Sequence, residues 1–147
     1  MAFDLSGGLT GWDLSGFHQG HDTECYRRLG AIETTVPDSD RGEISGTRFS
    51  VWAPNAQTVR LVGDFNSWNG DFGQMHLVPG SGVWALFVEG VGSGALYKFE
   101  VLGVDGVWRL KADPMARFAE AAPHNASIVH ASTYRWDDEQ WLWFRGQ

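Results

Sequence analysis

The chain has a single cysteine, Cys25, so no internal disulfide can staple it, and its fold must rest on its own core. One thiol and no disulfide framework fit a reducing compartment. No apolar run approaches the length that crosses a bilayer. The first residues, MAFDLSGGLTGW, lack the basic stretch and apolar core of a secretory signal. Positive charge is also scarce: 11 lysines and arginines stand against 18 acids, a net charge of −7. Such a surface repels phosphate backbones, which argues against nucleic acid as a partner and leaves neutral ligands unaffected. Tandem repeats and low-complexity segments are absent too. The expectation is a soluble, cytoplasmic protein with neither nucleic acid nor membrane among its partners.

What is present is apolar and aromatic. Hydrophobic residues make up 43% of 147 positions, enough for one compact domain with short flanking arms, and eight are tryptophans. Residues 1–17 carry no sustained period and read as an arm continuous with further protein. Asp22 to Leu29 has the form of a short helix, with Asp22 as N-cap and Gly30 just past its end. Residues 37–45, PDSDRGEIS, read as a polar loop. A strand pattern follows. In GTRFSVWA, Thr47, Phe49 and Val51 point one way, and Arg48, Ser50 and Trp52 the other. TVRLVGDF (58–65), VWALFV (83–88), LYKFEVL (96–102), VWRLKA (107–112) and ASIVH (126–130) are further strands, with Asp105-Gly106 as a hairpin turn. Short strands at this spacing predict an all-β, immunoglobulin-like antiparallel β-sandwich, flanked by a short N-terminal helical arm and a C-terminal helical stub. The organisation expected is an arm and linker helix over 1–36, the sandwich over 37–131, and the start of a further connection over 132–147. In that last segment Asp137 or Asp138 could cap a helix bearing Trp141, Leu142 and Phe144.

Two tryptophans stand where side chains can project from such a sandwich. Trp68 lies in the turn-rich loop after the second strand, and Trp108 just past the Asp105-Gly106 turn. Flat apolar faces with a few polar groups at their edges suit a neutral sugar ring, and Lys98 and Asn125 could supply those edges. Against this stands the packing role that tryptophan usually has, and Trp52 and Trp84, inside strands, are assigned to the core. Lys98 alone reads as a solvated strand residue and Asn125 as a turn residue. His18, His21 and Cys25 offer no convincing fourth ligand, so no metal and no cofactor is expected.

Taken in order, GTRFSVWAPNAQTVRLVGDFNSWNG, SGVWALFVEGVGSGALYKFEV and LKADPMARFAEAAPHNASIV closely resemble the N-terminal family 48 carbohydrate-binding module of bacterial glycogen branching enzymes. The stretch before them resembles the segment preceding that module, and the tail resembles the lead-in to a catalytic barrel. The resemblance implies that Trp68, Trp108 and Lys98 contact sugar, with Asn125 as a downstream contact. It implies α-1,4-glucans such as glycogen, starch and maltooligosaccharides as ligands, and the parent's catalytic barrel as a packing partner. It also implies a parent that forms α-1,6 branches by transferring α-1,4-glucan segments. No catalytic residue is assigned to this chain: its acids are scattered, and a (β/α)₈ barrel takes about 250 residues. A second role is open, a mainly structural domain that packs against the barrel with little sugar affinity of its own.

Overall fold

The computed structural model describes residues 9, 12–135, 137 and 139–146. Two antiparallel sheets stack face to face. The first has the order β1 (Gly30–Asp38), β2 (Gly42–Trp52), β5 (Val83–Glu89) and β4 (His76–Leu77). The second runs β3 (Thr58–Gly63), β6 (Leu96–Leu102), β9 (Ser127–Ile128) and β8 (Phe118–Ala119), with β7 (Trp108–Lys111) also paired to β6. The short helices α1 (Leu14–His18) and α2 (Glu139–Arg145) flank them. The architecture is thus the expected immunoglobulin-like sandwich. Phe49 and Val51 of β2, Val59 and Leu61 of β3, Trp84 of β5, and Tyr97 and Phe99 of β6 form the core between the sheets. Tyr97 stands edge-on to both Phe49 and Phe99. The one polar side chain of β2 that joins them, Thr47, is satisfied by donating to the Val91 carbonyl at 2.7 Å.

Several sequence expectations need correction. Residues 30–38 are neither arm nor loop: they form β1, paired with β2 from Gly30↔Ser50 to Asp38↔Gly42. Ile32, Thr34, Thr35 and Val36 favour the pleated conformation, and Pro37 is tolerated because β1 is an edge strand. The loop contracts to a tight turn in which Asp38 Oδ1 accepts from the amides of Asp40 and Arg41, each at 2.9 Å. Those two amides hold the Asp38 carboxyl below its ordinary pKa. Between Asp22 and Leu29 only Cys25–Arg27 coils, as a 3-10 turn. Asp22 spends its carboxylate elsewhere, accepting from the Trp12 indole and the Glu24 amide. The helix of the arm is α1, where no period was visible, and it is capped by Asp13 Oδ1 accepting from the Gly16 amide. Trp136 and Asp138 lie outside the described residues, as do the side chains of Trp141 and Leu142.

The arm explains a further feature of β2, which is buried on both faces. Leu9, Trp12 and Leu29 pack with Val83 and Ala85 to form a second small core on the outer face of the first sheet. The arm is fastened there by His18 Nε2, which donates to the Ser81 carbonyl at 2.8 Å, and by Ser50 Oγ, which donates to the Arg28 carbonyl at 2.8 Å. Trp84 is buried as expected, but Trp52 is not a core residue: it is 48% exposed and meets Phe17 edge-on at the margin of the arm. Its position at the end of β2 leaves it at the edge of the arm's cover.

One buried polar pair joins the second sheet to the chain that leaves it. The Tyr97 hydroxyl donates to Asp113 Oδ2 at 2.6 Å, Met115 N donates to Asp113 Oδ1, and Asp113 N donates to Ser127 Oγ. Burial raises the Asp113 pKa, the Tyr97 and Met115 hydrogen bonds only partly opposing it, and burial beside this carboxyl raises that of Tyr97. Tyr97→Phe should therefore cost about 1–3 kcal/mol in denaturant unfolding, since it leaves a buried acceptor unmade. The sign of the pH effect follows from the raised carboxyl: the folded state holds the Asp113 proton more tightly than the unfolded chain. Asp113 thus contributes an unfavourable increment as pH rises from the unfolded pKa through the folded one. The stability of Asp113→Asn relative to the parent should accordingly climb over that acidic range, and a flat difference curve would refute the assignment.

Candidate functional site

The second sheet turns one face to the core and the other outward, exposed along β7 but covered at Val62 of β3. On β6, Tyr97, Phe99 and Val101 point inward, so Lys98, Glu100 and Leu102 point outward. Register extends that outward face across the sheet. Arg60 of β3 lies opposite Glu100 and Val62 opposite Lys98, while on β7 Leu110 lies opposite Glu100 and Trp108 opposite Leu102. Trp108 is 41% exposed, and the hairpin presenting it closes through Asp105. That carboxylate accepts from the Val107 amide and from Arg109 and is held at a pKa of about 2, the Arg109 hydrogen bond being the largest cause.

Trp68 stands in the loop after β3. The strand ends at Gly63, where a longer run to Phe65 was expected, because Asp64–Asn66 turns into a 3-10 coil. Asn66 braces this coil: its Nδ2 donates to the Leu61 carbonyl at 2.9 Å and its Oδ1 accepts from the Gly63 amide at 3.0 Å. Asp64 Oδ2 accepts from the Leu96 amide at the start of β6, and Phe65 packs on Phe49 in the core. Trp68 N then donates back to the Gly63 carbonyl. Ser67 and Trp68 have φ of 54° and 59°, and among the described residues they are the only non-glycine positions with positive φ. Two consecutive left-handed residues with side chains carry a conformational cost, and such cost concentrates at functional loops. The result is an indole 41% exposed on a loop whose backbone is hydrogen-bonded in place.

Lys98 Nζ donates to Asn125 Oδ1 at 2.6 Å, so two of the four sequence-selected residues are in direct contact. Trp108 shares their sheet face, and the Trp68 loop reaches that face through Gly70, which packs between Arg60 and Glu100. Sequence reading missed Arg60. Its guanidinium lies over the Trp108 ring, 4.4 Å from the centroid, and Nη1 is 3.3 Å from Asp71 Oδ1 in the Trp68 loop. It missed also the bracing roles of Asp64 and Asn66, although both belong to the GDFN phrase that drew attention to Trp68. Exposed indoles, a cationic amine and an amide can hold a polyhydroxylated ring through C–H contacts and hydroxyl hydrogen bonds. Among the described residues no cluster of histidine, cysteine and acids is placed to hold a metal ion, and no helix is long and apolar enough to cross a membrane.

Comparison with known proteins identifies the family of the chain. The chain is 58% identical over 142 residues to the 1,4-alpha-glucan branching enzyme GlgB of Cutibacterium acnes, a match that covers 97% of this chain and 22% of that protein. It is 49% identical over 135 residues to the branching enzyme GlgB 1 of Streptomyces avermitilis, covering 92% of this chain and 16% of that one. This chain therefore spans only a small part of the length of the relatives it matches. Among solved structures, pullulanase type I from Bacillus subtilis complexed with maltose superposes with a TM-score of 0.54 at 26% identity, over 74% of this chain and 14% of that enzyme. The profile of carbohydrate-binding module 48 (isoamylase N-terminal domain) matches residues 30–116, which begin at β1 and run past Asp113. The chain belongs to the carbohydrate-binding module 48 family.

Proposed function

We propose that this chain is the non-catalytic glucan-binding and substrate-positioning module of a cytoplasmic glycogen branching enzyme. In this reading its ligands are α-1,4-glucans: glycogen, starch and maltooligosaccharides. The parent transfers α-1,4-glucan segments to form α-1,6 branches on a catalytic barrel that lies beyond this chain. The observation that carries the reading is the pair of half-exposed indoles, Trp68 and Trp108, on elements that Arg60 joins, together with the Lys98–Asn125 hydrogen bond on the sheet that bears Trp108. The identity to branching enzymes and the maltose-complexed pullulanase among the structural relatives support the ligand class. A net charge of −7 does not hinder binding of a neutral glucan. The braced Trp68 loop also favours binding, because little backbone order remains to be imposed when a ligand arrives.

A second role, packing against the barrel, has its own support. Tyr134, Trp143 and Phe144 of the C-terminal segment are exposed, Trp143 and Phe144 with their rings in contact, and exposed aromatic surface of this kind marks an interface. The two roles call on different residues and can operate together.

Titration with maltoheptaose followed by tryptophan fluorescence should give a saturable change. Trp68→Ala and Trp108→Ala should each weaken binding by about tenfold or more, as for aromatic anchors elsewhere. Absence of saturation in the parent, or a response that survives both substitutions together, would sink the glucan reading. The packing role predicts that deleting residues 134–147 raises the monodisperse fraction in size-exclusion chromatography, and equal behaviour of the two chains would count against it.

A further inference from the structure

The residue that joins the two tryptophan-bearing elements is neither a tryptophan nor one of the polar residues selected from the sequence. Arg60 leaves β3 on the outward face and extends its guanidinium over Trp108, with the guanidinium carbon 4.4 Å from the ring centroid. Its other contacts belong to the loop that carries Trp68. Asp71 Oδ1 lies 3.3 Å from Nη1, and Gly70 sits so close that a β-carbon there would fall 2.8 Å from Arg60 Cδ and 2.3 Å from Glu100 Oε2. Arg60 thus lies between Gly70 on one side and the Trp108 ring on the other. Arginine can do this and lysine cannot, because the planar guanidinium stacks on a π face while its edge still donates to a carboxylate.

We infer that Arg60 is a positioning residue of the glucan face: it covers one face of Trp108, fixes the tilt of that ring relative to the Trp68 loop, and so leaves the opposite face for sugar. The inference rests on the glucan reading of that face. Three features make it more than a surface ion pair. Asp71 is largely exposed, so the pair with Arg60 adds little stability by itself. Gly70 admits the close approach only because it has no side chain. And Trp108 sits on β7, a short strand whose four residues are all exposed, so little else among the described contacts holds its ring. Relative ring angle matters to binding because a helical α-glucan presents successive sugars at fixed angles, and two stacking platforms assist one another only when their planes match it.

The test measures maltoheptaose affinity by isothermal titration calorimetry and ring environment by near-ultraviolet circular dichroism, on the parent, Arg60→Gln and Arg60→Lys. Arg60→Gln should weaken binding about three- to tenfold and alter the tryptophan fine structure of the free chain, with unchanged far-ultraviolet spectrum. Arg60→Lys keeps the charge and the stem but loses the plane, and should also bind about two- to threefold more weakly than the parent. If Arg60→Gln proves too unstable to titrate, the lysine variant alone decides. Affinity equal to or tighter than the parent's in either titratable variant overturns the inference while leaving the glucan reading intact. A parent that does not bind maltoheptaose overturns both.

Discussion

The hydrogen bond from the Tyr97 hydroxyl to Asp113 ties together the strand that carries Lys98, the segment that follows Trp108, and the strand that follows Asn125. Tyr97 is fully buried and packs edge-on to Phe49 and Phe99, so its hydroxyl emerges at a fixed point of the core. Asp113 receives it while its own amide donates to Ser127 Oγ, and Ser127 pairs with Tyr97 across the β6–β9 ladder. A closed circuit therefore links β6, the segment after β7, and β9. Lys98 follows Tyr97 on the chain, Trp108 begins β7, and Asn125 lies just before β9. The inward residues of β6 thus set where the outward ones stand, because successive side chains of a strand alternate between faces. A buried carboxyl of raised pKa is tolerated because its partners satisfy it, and removing any one of them leaves a polar atom in an apolar place.

The same coupling between inside and outside operates at the Trp68 loop. Gly63 to Gly73 looks from composition like a flexible connection, rich in glycine, asparagine and serine. It is held instead by Asn66 to Leu61 and Gly63, by Asp64 to Leu96, by Asn69 Oδ1 accepting from the Asp71 amide, and by the Phe65 ring in the core. These bonds offset the left-handed backbone at Ser67 and Trp68, which by itself costs on the order of 1–2 kcal/mol per residue. A loop whose only purpose was to join β3 to β4 would not need a large aromatic side chain at such a position.

The fold was legible where alternation is strict and turns are marked. β6 begins and ends where LYKFEVL does, and Asp105-Gly106 closes its hairpin with Gly106 at φ 75°. β1 was obscured because its side chains are only partly buried along an edge and because proline and acids dominate its end; its pairing with β2 is a tertiary fact. Trp52 was misassigned for a related reason. Strand periodicity says which face a residue is on, but not that an arm covers that face and leaves Trp52 at its margin, in contact with the Phe17 ring. In the candidate site, Lys98 and Asn125 do meet, while Arg60 escaped notice because a lone arginine in a strand carries no motif. Its role appears only once β7 brings Trp108 across from β3.

An exposed tryptophan is expensive to keep on a surface, since burying one fully would remove some 150–250 Å² from water. This chain has the means to bury its indoles, as Trp12 and Trp84 demonstrate. Trp68 and Trp108 are held open by specific devices: a strained but braced loop for one, and a guanidinium on a single face for the other. The guanidinium covers only one face of Trp108. Packing for its own sake would close the other side as well, with the aliphatic residues that already stand nearby, Leu102 and Leu110. Both rings stay half open, Trp108 on the outward face of the sheet and Trp68 on a loop that reaches that face through Gly70, and exposure of this kind suits a flat, hydroxyl-rimmed ligand better than packing for its own sake.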